Sequence, residues 1–275
     1  MLTPDDVVDV AVNEWGRKEF YGLCSGGKDS VSVCHWFSNN YPELFKGVLF
    51  VDTTIGLPDT KQFVQDLCKD QGWKLHIRKP KVTYDEWVMK YGFPTVRAHR
   101  YIMGYLKFHP MRQFIKDPSV TDGCLISGVR RAESKRRMRT VKGPIHKEGR
   151  LYFCQPFLDW SRDMVFDYLK QNKLSISPVY DILHYSGDCL CGAYADKGEI
   201  EMLKMFYPDM AKRLDLLEKE LVVHQPDIKY CHWGNSDGIG MVDNNESKEE
   251  ALICTDCGDK VGYDCNIEEE SKWDQ

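Results

Sequence analysis

The stretch Ser25-Gly26-Gly27-Lys28-Asp29-Ser30 holds two glycines, two hydroxyls, a cation and a carboxylate within six positions. It lies between the apolar run Phe20 to Leu23 and a segment in which Val31, Val33, Cys34 and Phe37 recur at helical spacing. A glycine turn between a buried strand and a helix collects backbone N–H groups and the positive helix end at one point, which suits a phosphate. Read as a Walker A loop, Gly22-x4-Gly27-Lys28 fits until its last position, where Asp29 replaces the Ser or Thr that would ligate magnesium. A carboxylate at that place is itself the hard oxygen ligand that Mg²⁺ prefers. Ser25 and Ser30 have no histidine partner in sequence, so a hydrolase triad is not indicated.

A second phosphate-directed feature follows Cys124-Leu125-Ile126-Ser127-Gly128. From Arg130 to Arg150 nine Lys/Arg stand against Glu133 and Glu148, a net of +7. A basic block of this kind attracts phosphates, and arginine's fork matches such oxyanions bidentately. The opposite charge gathers from Asp243 to Gln275, with eleven Asp/Glu against three Lys, a net of −8. Both lie within a chain of 275 residues and formal charge −5.

The third group is thiols. Of eleven cysteines, Cys189-x-Cys191 and Cys254-x2-Cys257-x7-Cys265 hold five. A CxxC turn presents two thiolates, and a second pair would close a four-thiolate site for zinc or an iron–sulfur cluster. Free thiols, or a dithiol cycling with a reductant, are the other reading. Cys231-His232 is a reserve ligand pair; Cys24, Cys34, Cys68, Cys124 and Cys154 read as small core residues.

The elements that must position these groups alternate strand and helix. Thr3-Pro4-Asp5-Asp6 starts a helix running to about Gly16. Strands are expected at Phe20–Leu23, Gly47–Val51, Trp73–Ile77 and Cys124–Gly128, with helices after Gly27 and from Pro58 to Gln71. This pattern predicts right-handed βαβ units: an α/β fold with a doubly wound parallel sheet. After the sheet come Tyr152 to Pro156, a helix from Ser161 to about Lys170 and another from about Lys197 to Leu221. The expected division is a domain over 1–223 and a small Cys-containing acidic segment over 224–275. With 42% hydrophobic and 12% aromatic residues the chain is not of a disordered or low-complexity class. No apolar run reaches the roughly 20 residues of a membrane span, and Met1 to Asp6 is unlike a signal peptide, so a cytoplasmic location without membrane contact is expected.

Residues 25–30 resemble the SGGxDS pyrophosphate loop of the N-type ATP pyrophosphatases (the PP-loop superfamily), whose fold is adenine nucleotide α-hydrolase-like. The resemblance implies ATP as the nucleotide, Ser25, Gly26, Gly27 and Ser30 as the pyrophosphate cradle, and Asp29 as the Mg²⁺ ligand. Val51-Asp52-Thr53-Thr54 with Leu57-Pro58-Asp59-Thr60 is similar to the second strand end of the phosphoadenosine phosphosulfate (PAPS) reductase branch, which places Asp52 and Thr53 near the nucleotide. Ser127-Gly128-Val129-Arg130-Arg131-Ala132-Glu133-Ser134-x2-Arg137 resembles the GxRxxES-x2-R segment of that branch. Gly128, Glu133, Ser134 and Arg137 are thereby assigned to nucleotide binding, and Lys28, Arg130 and Arg131 to charge neutralisation in catalysis. Gln155 to Leu169 and Ser177-Pro178-Val179-Tyr180 continue the match. True reductases of the branch lack the intact loop and carry a Glu-Cys-Gly-Leu-His motif, where this chain has Asp256-Cys257-Gly258-Asp259-Lys260.

The resemblance therefore implies an enzyme that binds MgATP, cuts it between the α- and β-phosphates and adenylates an acceptor, with sulfur transfer as one use. The acceptor would be a sulfate-like anion or nucleic acid, and a sulfur-donor or reductant protein a further partner. The alternatives are a sulfonucleotide reductase using Cys257, and a nucleic-acid-binding module without turnover.

Overall fold

The computed structural model describes residues 2–132, 141, 143–195 and 198–234. The first helix, α1 (Pro4–Asn13), begins as its sequence dictates. The Thr3 hydroxyl accepts from the Asp6 N–H while the Asp6 carboxylate accepts from the Thr3 N–H, a reciprocal capping box. Next come β1 (Glu19–Leu23), α2 (Lys28–Asn40), β2 (Phe45–Val51), α3 (Pro58–Asp70) and β3 (Leu75–Arg78). Helices α4 (Tyr84–Tyr91) and α5 (His99–Met103), a π-helical turn over Gly104–Phe108, and α6 (His109–Ile115) lead to β4 (Gly123–Ile126). The chain continues through β5 (Ile145–Glu148), β6 (Leu151–Cys154), α7 (Arg162–Gln171), α8 (Val179–Leu183), α9 (Glu199–Phe206) and α10 (Pro208–His224).

Among the described residues one sheet forms, in the order β3-β2-β1-β4-β6-β5, parallel except where β5 runs back along β6. The doubly wound class is thus observed. The sheet grows from β1 in both directions, and its switch point lies between β1 and β4, where ligands of such sheets bind outside the carboxyl ends. One face is covered by α1, α2, α3 and α7 through Val8, Val31, Phe37, Val64 and Val165. The other packs Tyr21, Leu49, Leu125 and Phe153 against Met111 and Phe114 of α6. A separate cluster joins α4, α8, α9 and α10 to Ile55 and Leu57, at the carboxyl end of β2.

Several features differ from the sequence reading, among them β5 and the helical stretch from α4 to α6, which it did not expect. The Tyr152–Pro156 stretch, expected to follow the sheet, contributes β6 to its interior, paired with β4 through Leu125↔Phe153 and Ile126↔Cys154. Leu151, Phe153 and Cys154 are buried because both faces there are covered. The helix expected over 197–221 is two helices. Pro208 lacks an N–H and disfavours helical geometry at Tyr207 (φ −135°, ψ 59°), so α9 stops and α10 restarts on the proline. Beyond α10, Tyr230 accepts a hydrogen bond from the Phe93 N–H (2.8 Å), and Trp233 donates from Nε1 to Leu190 O (2.8 Å). No described helix is long and apolar enough to cross a membrane.

Candidate active site

Residues 25–30 form the turn from β1 into α2, at the carboxyl edge of the sheet. Gly26 takes φ +80°, a region L side chains rarely adopt, and passes its carbonyl to the Ser177 N–H (2.8 Å). Gly27 is the N-cap of α2 and offers no capping side chain, so no side chain caps the helix's first turn. Ser30 ties the turn together: its hydroxyl donates to Gly27 O (2.9 Å) and accepts from the Ser25 N–H (3.2 Å). Cys24 lies buried beneath, with its sulfur 4.0 Å from the Ser30 hydroxyl.

Asp29 stands between two cations. Arg130, 3% exposed, brings Nε to 2.5 Å from its carboxylate, and Lys28 Nζ is 3.2 Å away. Lys28 is itself buried, over the ring of Tyr180 at 5.1 Å. Arg130 arrives from the loop after β4, so the pair spans the switch point. The other sequence-designated arginine, Arg131, turns outward to Asp159 (2.8 Å). Glu133, Ser134 and Arg137 lie outside the described residues.

The end of β2 forms a second wall. Asp52 accepts hydrogen bonds from Lys61 Nζ (2.9 Å) and the Thr54 N–H (3.1 Å), with Lys79 at 3.4 Å. Burial works to raise its carboxyl, but Lys61, the Thr54 N–H and Lys79 outweigh it and hold the group below the usual carboxylate range. Thr54 has φ +65°, costly for a β-branched residue by about 1–3 kcal/mol.

Residues 186–190 strap this wall to the phosphate turn. Thr53 donates to Asp188 O (2.7 Å), Thr60 to Ser186 O (2.5 Å) and the Leu57 N–H to Gly187 O (2.8 Å), while the Ser186 side chain flanks Gly27. The Asp188 carboxylate accepts from Ser186 Oγ (2.8 Å) and pairs with Lys107 Nζ of the π turn (2.7 Å). Burial opposes both charges, yet each sustains the other: the Asp188 carboxyl is held low and the Lys107 ammonium high. Sequence reasoning missed this pair; Ser186-Gly187-Asp188 beside Cys189 was its one turn-like signal.

Cys189 follows on the strap, partly exposed, and Cys191 is buried. A hydrogen bond with Cys191, with the Lys107 charge, overcomes burial and lowers the Cys189 thiol, while Cys191 is pushed up. Cys254, Cys257 and Cys265 lie outside the described residues. Among the described residues no group of three His, Cys, Asp or Glu is arranged to hold a metal. Cys189 and Cys191 are two cysteines where a zinc or iron–sulfur site needs four ligands, so the described residues alone do not complete one. For Mg²⁺ the fit is better, since one carboxylate beside substrate phosphates is its common environment, and Asp29 sits at the phosphate turn.

Residues 19–191 match the family model of the phosphoadenosine phosphosulfate reductase domain. An uncharacterized protein of Methanocaldococcus jannaschii is 27% identical over 218 residues, which cover 74% of this chain and 51% of that one. The adenosine 5'-phosphosulfate reductase of Oceanobacillus iheyensis is 25% identical, over 68% of this chain and 79% of its own. The phosphoadenosine 5'-phosphosulfate reductase of Xanthomonas oryzae pv. oryzae is also 25% identical, over 73% and 79%. The chain therefore spans about half of the first relative's length and about four fifths of the two reductases. Among solved structures, the PAPS reductase from Candida auris in a phosphate complex is 20% identical with TM-score 0.49, covering 66% of this chain and 84% of that one. The NH3-dependent NAD synthetase from Campylobacter jejuni is 14% identical with TM-score 0.46, covering 80% and 92%.

Proposed function

Because the chain belongs to the phosphoadenosine phosphosulfate reductase domain family, we propose that it is a nucleotide-dependent enzyme of the PP-loop type that cleaves MgATP between the α- and β-phosphates and adenylates an acceptor. The observation that carries this reading is the intact turn 25–30 capping α2 with Asp29 in its first turn, met across the switch point by Arg130. A terminal pyrophosphate would fill such a turn, with main-chain N–H groups and the positive end of α2 facing its oxygens.

In this reading Ser25, Gly26, Gly27 and Ser30 cradle the β- and γ-phosphates by short side chains and main-chain N–H groups. Asp29 would hold Mg²⁺, which supplies charge neutralisation to the departing pyrophosphate. Arg130 exchanges its carboxylate partner for a phosphate oxygen, and Lys28 steadies Asp29 from below. An acceptor oxygen attacks the α-phosphorus, the α–β bond breaks, and pyrophosphate remains in the turn. Asp52 and Thr53 bound the nucleotide on the β2 side. The work of the chain is alignment and electrostatic stabilisation. Cys189 and Cys191 with the cysteines of the tail would form a zinc or iron–sulfur site, and no step is drawn through it. Metal analysis of the protein and of a Cys254→Ser/Cys257→Ser variant tests that site.

The deciding assay is pyrophosphate release from MgATP with sulfate, other oxyanions and nucleic acids offered as acceptors. Asp29→Asn should lower the rate about 10²–10³-fold. A second reading, reduction of a sulfonucleotide, is favoured by the partly exposed, low-lying Cys189 thiol on the same edge and by the relatives named as reductases. Sulfite release from PAPS or adenylyl sulfate, with no pyrophosphate from ATP, would replace the first reading by the second. Salt-dependent nucleic-acid binding with neither product would leave a binding module.

A further inference from the structure

Among the described residues other than glycine with positive φ, namely Thr54, Asp122, Lys173 and His184, Thr54 alone is β-branched. A β-branched residue does not favour that conformation unaided. Three hydrogen bonds hold it, one local and two from distant elements. The Thr54 N–H donates to Asp52 Oδ1 (3.1 Å), its hydroxyl accepts from the Tyr84 N–H (2.8 Å), and its carbonyl accepts from Arg213 Nη2 (2.8 Å). The last partner comes from α10, 159 positions away. Asp85, in the first turn of α4, aims the guanidinium: Nη2 lies 2.7 Å from Oδ1 and Nε 3.3 Å from Oδ2.

We propose that Arg213 is a positioning residue for the nucleotide site: it holds Thr54 in the left-handed conformation and, through the Thr54 N–H, the carboxylate of Asp52. The nucleotide half of this inference rests on the functional reading above. Arg213 faces the groove between α4 and α10, beside Met89, Lys212 and Leu216, and belongs to none of the groups placed around the phosphates. A residue serving only to tie α10 to α4 would need Asp85 alone. The additional bond to the main-chain carbonyl of a strained residue directs its effect to the β2 corner. The corner in turn reaches the phosphate turn, since Thr53 holds Asp188 and Ser186 flanks Gly27.

The test compares wild type, Arg213→Lys, Arg213→Met, Thr54→Gly, and Thr54→Gly in the Arg213→Met chain. MgATP affinity is measured by calorimetry and amide exchange is followed over residues 52–57. Arg213→Met should weaken MgATP by about tenfold and speed exchange in 52–57 by about tenfold, the loss of one charge-assisted hydrogen bond. Arg213→Lys, which keeps the charge opposite Asp85 without the fork, should fall between, and it stands in should the methionine variant fail to fold. Adding Thr54→Gly should return affinity and exchange to within about threefold of the Thr54→Gly control, because glycine takes this φ unaided. Arginine variants that lose thermal stability while affinity and exchange in 52–57 stay at wild-type values overturn the proposal. So does a double variant no better than Arg213→Met. A wild type that binds no adenine nucleotide overturns the functional reading and the nucleotide half of this one. The exchange measurements then still support or overturn the hold of Arg213 on Thr54.

Discussion

The backbone of Gly128 rests on that of Asp29: a Cβ at Gly128 would stand 2.7 Å from the Asp29 carbonyl carbon and 2.9 Å from the Ser30 nitrogen. Neither neighbour is a flexible side chain, so the β4 loop or the start of α2 would have to move. Gly128→Ala should therefore destabilise the protein by about 1–3 kcal/mol and separate Arg130 from Asp29. Urea unfolding and MgATP calorimetry check both effects; an alanine variant with unchanged stability and affinity would show that the close approach is dispensable.

The Asp29–Arg130 pair should be strongly non-additive. Arg130 is 3% exposed, so Asp29→Ala leaves a buried guanidinium with its nearest carboxylate gone, at a cost of about 3–5 kcal/mol. Adding Arg130→Met removes that charge and should regain much of the loss, although neither variant should cleave ATP. A double-mutant cycle on urea unfolding gives the coupling, and additive losses would refute it.

How far the sequence alone carries depends on the range of each interaction. The turn from β1 into α2 was legible because Ser25 and Ser30 meet within one local turn. Gly128 and Arg130 were legible because they follow a buried strand. Strand β5 was not, since Ile145-His146-Lys147-Glu148 lies at the sheet's edge, its last two residues are exposed, and its pattern is that of a solvated loop. Lys107 with Asp188, and Thr54 with Arg213, join residues 81 and 159 positions apart, through contacts that no local pattern encodes.

The Lys107–Asp188 pair predicts a pH signature. In the wild type the Asp188 carboxyl is depressed by Lys107, so its stabilising effect is present above the ordinary carboxylate value near 3.8 and is lost as pH falls through the lower folded value. The raised Lys107 group contributes below about 10.5 and loses its contribution as pH rises through the higher folded value. In Lys107→Met, burial, the largest influence on Asp188, is opposed only by the hydrogen bonds from Ser186 and the main chain, so its carboxyl should rise. The variant's deficit should then be smallest below about pH 4 and grow to about 2–4 kcal/mol at neutral pH, the side chains being about a fifth exposed. Urea unfolding from pH 3.5 to 8 measures it; a deficit independent of pH would count against the pair.

Among the described cysteines, Cys189 should react first with iodoacetamide at pH 7. Cys24, Cys34, Cys68, Cys124, Cys154 and Cys191 are buried, whereas Cys189 and Cys231 are partly exposed, and the Cys189 thiol is lowered by Cys191 and Lys107. Peptide mapping by mass spectrometry should find Cys189 labelled several-fold faster than the buried set, and Cys191→Ala should slow that labelling. Equal rates at Cys189 and Cys34 would show that the strap does not activate the thiol.

The strap also sets an order of events on the ribosome. Thr60 and Thr53 wait 126 and 135 residues for Ser186 and Asp188, roughly 6–27 seconds at ordinary rates of synthesis. During that interval the nascent chain already carries the Ser25–Ser30 turn, with the sides that Ser177 and Ser186 will close still open. The segment proposed to bind phosphate is thus among the first to be translated, while the strap that flanks it is among the last. A chain arrested before Ser186 would present to the cell's anions a turn without its lid.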